Sequence, residues 1–185
     1  MRTMTRACSI RLWLPVIAAV MLVVLSACGS SGGGSGSSAS IDVSGEWIVT
    51  ILNPDVATVT GCNGDLTSLN GLTLSDIAAA GPVCSTSDAM IVDQVGKFIS
   101  SRRQDYSCSD GQTASFTGEG SVSGQAVEIT LTGVFSTGII SHDPLVGRET
   151  APGRLELEES RFSLSGAVTG SCFLSPPLGW IVDIF

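Results

Sequence analysis

The chain has 185 residues, 43% of them hydrophobic and only 14% charged, with a formal net charge of −8. That length is enough for one domain with one core. The acidic balance argues against nucleic acid or an anionic lipid surface as a charge-driven partner, and is equally what keeps an exported domain soluble.

The chain opens with Arg2, Arg6 and Arg11 and no acidic residue before a 14-residue apolar run, Leu12–Leu25. That run is too short to span a bilayer and suits the core of a signal peptide. It closes on Leu25-Ser26-Ala27-Cys28. An ordinary secretory site wants small residues at positions −3 and −1, and Leu25 opposes that. The four residues form a lipobox, and over residues 1–28 the chain resembles bacterial lipoproteins. The resemblance implies removal of residues 1–27, a diacylglycerol joined to the Cys28 thiol, and a lipid-anchored place in the bacterial cell envelope. Gly29 stands where an aspartate is associated with inner-membrane retention, so the resemblance points to the outer membrane. Two or three acyl chains hold a protein stably where one does not.

Residues 28–40 are then the lipidated cysteine and a tether. Gly29–Ser40 is Gly and Ser apart from Ala39. Such a segment cannot bury a core, and its root-mean-square span is about 20 Å. Residues 41–185 are expected to form a single β domain. Loss of residues 1–27 removes three of the nine basic groups and no acid, leaving a net −11, with Lys97 the sole lysine. Cys62, Cys84, Cys108 and Cys172 remain, an even number in an exported chain, which reads as two disulfides. Zinc is the rival, but no C-x-x-C pair is present and His142 is the lone histidine, so neither a metal nor a cofactor is expected.

Gly45-Glu46-Trp47 opens the first strand, and Asn53-Pro54-Asp55 stops it. Trp47, Val49 and Ile51 alternate with Ile48, Thr50 and Leu52. A long connection from Pro54 to Ser87 follows, with turn pairs at Asn63-Gly64 and Asn70-Gly71. Within it, a short helix is expected over Ser75–Ala80, with Ser75 as N-cap and Gly81-Pro82 ending it. A connection this long calls for a staple. Cys62 with Cys84 and Cys108 with Cys172 is therefore the expected pairing, among three that the sequence allows. Strands resume at Ala89–Gln94 and Lys97–Arg103.

An internal repeat comes next. Phe116-x-x-x-Gly120-x-Val122-Ser123-Gly124 matches Phe162-x-x-x-Gly166-x-Val168-Thr169-Gly170. Gly124-Gln125 and Gly170-Ser171 are placed as two-residue type II′ hairpin turns. Val127, Ile129 and Leu131 alternate with Glu128, Thr130 and Thr132 on the strand between. Leu155 and Leu157 are odd-numbered whereas Phe162 and Leu164 are even, so a bulge or turn must fall between Glu158 and Arg161. Cys172-Phe173-Leu174 begin a return strand that Pro176-Pro177 should end, and Trp180, Val182 and Ile184 offer the last strand. Glycines inside strands suggest bends of a curved sheet. The count is about eight strands, expected as an antiparallel up-and-down barrel or a sandwich.

Gly45 and Trp47 at the start of such a meander resemble the calycin group, which includes lipocalins, avidins and small β-barrel protease inhibitors. Trp47 shares its strand face with Val49 and Ile51 and is expected to plug one barrel end, the alternative being that it lines a pocket; the resemblance implies that Arg161 lies over it.

No catalytic set emerges. Ser141-His142-Asp143 holds the three triad residue types, but neighbours in sequence diverge, and Pro144 suggests a loop. Glu156 and Glu158 alternate with Leu155 and Leu157 and read as a wet strand face rather than, with Glu159, a carboxylate pair. Asn63 and Asp65 lack the spacing of a calcium loop. The expected function is therefore non-enzymatic: a lipid-anchored envelope domain that binds an envelope protein or a small apolar ligand. The alternatives are a small-barrel periplasmic protease inhibitor and, further off, a hydrolase. Whether the barrel interior is empty or packed discriminates a ligand carrier from a display domain.

Overall fold

The computed structural model describes residues 41–82, 84–86 and 89–185. The expected signal peptide, Cys28 and the tether lie outside the described residues.

The described chain is antiparallel β throughout, apart from a 3-10 helix at Gly64–Leu69 and the helix α1 at Leu74–Ala80. Its strands are β1 (Gly45–Leu52), β2 (Thr58–Thr60), β3 (Cys84–Ser85), β4 (Met90–Val95), β5 (Phe98–Ser101), β6 (Gln104–Cys108), β7 (Thr113–Ser123), β8 (Ala126–Phe135), β9 (Ile139–Ala151), β10 (Arg154–Gly166) and β11 (Gly170–Ile184). β1 and β2 lie on the same edge of β11, β5 and β6 on the same edge of β7, and β3 and β4 against β6 and β5. These three pairs are interrupted strands. The sheet thus has eight positions, each beside its sequence neighbour, and the β1–β11 pairing closes it into an up-and-down barrel.

Alternation sets the interior. Trp47, Val92, Ile99, Phe116, Ile129, Leu145, Leu157, Trp180 and their neighbours form one buried cluster. Tyr106, Phe116 and Phe135 meet edge to face within it, the arrangement that aromatic quadrupoles favour. Buried side chains from every wall of the barrel join in this one cluster. Interior glycines serve close approach: a Cβ at Gly147 would stand 1.9 Å from the Glu156 carbonyl oxygen and one at Gly120 2.0 Å from that of Glu128. Larger residues there would force the strands apart.

One end is shut by the segment preceding β1. Val43 is buried, and the Trp47 indole N–H donates to its carbonyl at 2.8 Å. Trp47, only 2% exposed, plugs this end as the alternation implied. The Gln94 side chain accepts from the Val43 N–H and donates to the Ile41 carbonyl. The other end carries the long β1–β4 connection, whose α1 buries Leu74 and Ile77 in the same core.

Several expectations are corrected. The disulfides are Cys62–Cys172 and Cys84–Cys108, not Cys62–Cys84 and Cys108–Cys172. β2 runs beside β11, which brings Cys62 to Cys172, and the β3–β6 register sets Cys84 directly opposite Cys108. Pairing follows the neighbouring strand, not the shared loop. The helix begins one residue earlier, with Thr73 as N-cap in a capping box with Asp76 rather than Ser75. The Gly124-Gln125 turn stands as expected, with Gly124 at φ +61° and Ser123 paired to Ala126. Gly170-Ser171 is not a turn. β10 turns earlier, at Gly166 (φ +87°), Val168 folds into the core, and β11 starts at Gly170. Pro176-Pro177 does not end a strand, because β11 runs to Ile184 and leans on β2 and then β1.

Candidate functional site at the β10 bulge

The phase change read between Glu158 and Arg161 is a bulge. The β10–β11 register shifts between Glu159 and Arg161, and the β10–β9 register between Glu159 and Ser163. A bulge reverses which side chains face inward. Leu155, Leu157 and Glu159 therefore point into the barrel on one side of it, and Phe162 and Leu164 on the other, while Arg161 points out. One backbone irregularity builds two features back to back.

The inner feature is a pair of carboxyl groups in hydrocarbon. Ser141-His142-Asp143-Pro144 is not a loop; it lies within β9, where alternation turns Ser141 and Asp143 inward and His142 outward. The Ser141 hydroxyl donates to Asp143 at 3.1 Å. Asp143 keeps a little accessible surface but is enclosed by protein on nearly every side, and enclosure sets the cost of its charge. Burial pushes its carboxyl up to about 7, against the lowering effect of the Ser141 bond. Glu159 is raised well above the usual range, first by burial and then by repulsion from Asp143. The Trp180 indole N–H is near enough to favour the charged form of Glu159, yet it closes no hydrogen bond of standard geometry and is otherwise unpartnered. A hydrolase needs acids in a cleft open to substrate; these two are enclosed on the inward face of the barrel wall.

Glu159 was missed as a core residue. The signal was present, because Glu159 shares the odd-numbered face of Leu155 and Leu157. Glu156 and Glu158 are exposed, as the alternation requires.

The outer feature is a groove of about 480 Å³ on the barrel wall, lined by Thr130, His142, Pro144, Arg161, Ser163, Ser171 and Phe173, with Phe162 and Cys172 at its floor. It forms where β10 bulges beside Pro144 of β9. Arg161 and Phe173 stand directly opposite each other across β10 and β11. Phe173 is 55% exposed. Arg161 forms no ion pair with a described residue; the pairs present are Arg102–Asp93, Arg103–Asp105 and Arg154–Asp183. His142 lies alongside, its Nδ1 3.4 Å from the Thr132 hydroxyl. The outward acids near the groove by register are Glu119, opposite Thr130, and Glu128 and Glu158, which flank Val146. Arg161 does not lie over Trp47, as the calycin resemblance implied: Trp47 faces inward and pairs with Ile184 at the end of β11, whereas Arg161 faces outward and pairs with Phe173 near its start.

Asn63 and Asp65 are latches. Asn63 bonds the backbone and hydroxyl of Ser171, and Asp65 accepts from the Thr169 N–H. Among the described residues, no group of three or more His, Cys, Asp or Glu is placed to hold a metal. No helix among them is long and apolar enough to cross a membrane.

No family model, curated protein or solved structure matches this chain.

Proposed function

We propose that this chain is a lipid-anchored protein of the bacterial cell envelope, held in the outer membrane through acylated Cys28, that displays a closed β-barrel and binds a ligand non-enzymatically on its outer wall. The lipobox supports the anchor. The observation that carries the binding site is the groove, where an arginine with no ion pair among the described residues faces an exposed phenylalanine on an otherwise acidic chain. Guanidinium pairs with carboxylates and sulfonates, and the ring offers an apolar bed. The ligand class is therefore a small apolar molecule carrying one such anionic group, seated on the outer wall where Arg161 and Phe173 stand opposite each other.

The anchor is tested by labelled palmitate, which enters the wild-type protein and not Cys28→Ser. The groove is tested with anilinonaphthalene sulfonate, an aromatic anion whose fluorescence rises on binding. Arg161→Ala and Phe173→Ala should each weaken binding about tenfold, the loss for roughly 1.4 kcal/mol. Unchanged probe affinity in both variants refutes the groove, and absence of palmitate from the wild type refutes the anchor.

A further inference from the structure

The three most exposed large apolar side chains among the described residues are Val95 at 79%, Phe98 at 64% and Phe185 at 63%. All three lie at one end of the barrel. Val95 and Phe98 pair across the Gly96-Lys97 turn that joins β4 to β5. Phe185 exchanges backbone hydrogen bonds with Glu46 at the start of β1.

This is also the end where the tether meets the domain. The Ile41 N–H donates to the Gly124 carbonyl in the β7–β8 turn, and Gln94, one residue before Val95, holds Ile41 and Val43. The β4–β5 hairpin tip is thus bonded to the entry point of the lipid-linked segment. Tip chemistry suits a lipid surface. Val95 and Phe98 are apolar, and Lys97, the only lysine of the chain, lies over the Phe98 ring at 5.3 Å. A lysine stem can lie along apolar surface while its ammonium stays at the headgroups. Asp93, the acid nearest the tip in β4, is neutralised by Arg102. With about 20 Å of root-mean-square reach, the tether lets the hairpin touch the bilayer without strain.

We infer that the barrel docks tether end down, with the Val95–Phe98 hairpin tip inserted into the headgroup region of the membrane that holds its lipid. This rests on the lipid-anchor reading above. It gives the barrel an orientation that the lipid anchor alone would not, and it presents the long β1–β4 connection away from the bilayer.

The test uses the acylated full chain reconstituted in vesicles of phosphatidylcholine and phosphatidylethanolamine containing bromine-labelled acyl chains, which quench tryptophan on contact. Phe98→Trp places a reporter at the tip. Val56→Trp, beyond the far end of β1, is the control. Mass spectrometry first establishes the acyl adduct on each protein. The expected result is at least a twofold fall in the added emission of Phe98→Trp and no change for Val56→Trp. An acylated protein in which the Phe98→Trp emission is unquenched overturns docking and leaves the anchor standing. A protein without the adduct overturns both. Sedimentation of the non-acylated Cys28→Ser chain closes the remaining route: a dimer that Phe98→Ser dissociates assigns the tip to a second copy and overturns docking.

Discussion

Replacing Asp143 with asparagine isolates the cost of charge inside the barrel. Asn is nearly isosteric and still accepts the Ser141 hydroxyl bond, so packing is kept and only the charge is lost. In the folded protein, the Asp143 carboxyl is raised from 3.8 to about 7, mainly by burial. A raised acid binds its proton more tightly when folded than when unfolded, so stability is fully present below about pH 4 and is lost as pH climbs toward 7. At about 1.4 kcal/mol per pH unit, the loss across that window is of the order of 4 kcal/mol. The wild type should therefore show a clearly lower urea midpoint at pH 8 than at pH 5, with its disulfides intact. Asp143→Asn should match the wild type near pH 4 and be the more stable of the two at pH 8. Its residual slope belongs to Glu159, whose burial remains but whose charged neighbour is gone. The acidic surface also destabilises with rising pH, but it does so equally in both proteins and cancels in their difference. A variant with the same pH dependence as the wild type refutes the buried-charge account. So does a wild type more stable at pH 8 than at pH 5.

Trp47→Ala should cost about 3–5 kcal/mol, the range for truncating a buried large aromatic, and should leave anilinonaphthalene sulfonate binding intact in the folded fraction; a midpoint equal to that of the wild type contradicts its role as a plug. Peptide mapping without reduction should recover Cys62 linked to Cys172 and Cys84 to Cys108. In the chain-entropy model, removing the first bridge, with its sequence separation of 110, costs about 5 kcal/mol. Removing the second, with a separation of 24, costs about 3. Urea midpoints of the Cys62→Ala/Cys172→Ala and Cys84→Ala/Cys108→Ala pairs should therefore fall in that order, and the reverse order counts against the pairing.

Local pattern by itself carried much of this architecture. Period-two alternation named the inward residues of β8, β10 and β11, because successive strand side chains must face opposite ways. The Gly124-Gln125 turn was legible because type II′ geometry needs a left-handed first residue. The odd-to-even change between Leu157 and Phe162 located the bulge before any partner strand was known. The tertiary structure decided what depends on remote partners. Cys62 meets Cys172 because closure of the barrel lays β2 along β11. Val168 is buried because β10 turns at Gly166 rather than at Gly170. Asp143 looked like part of a polar loop until β9 proved to run straight through Pro144. Glu159 and Arg161, two residues apart, then take opposite environments, one in hydrocarbon and one in an open groove. Alternation is set by the chain's own stereochemistry, whereas what a side chain meets on its face is set by strands brought there from tens of residues away.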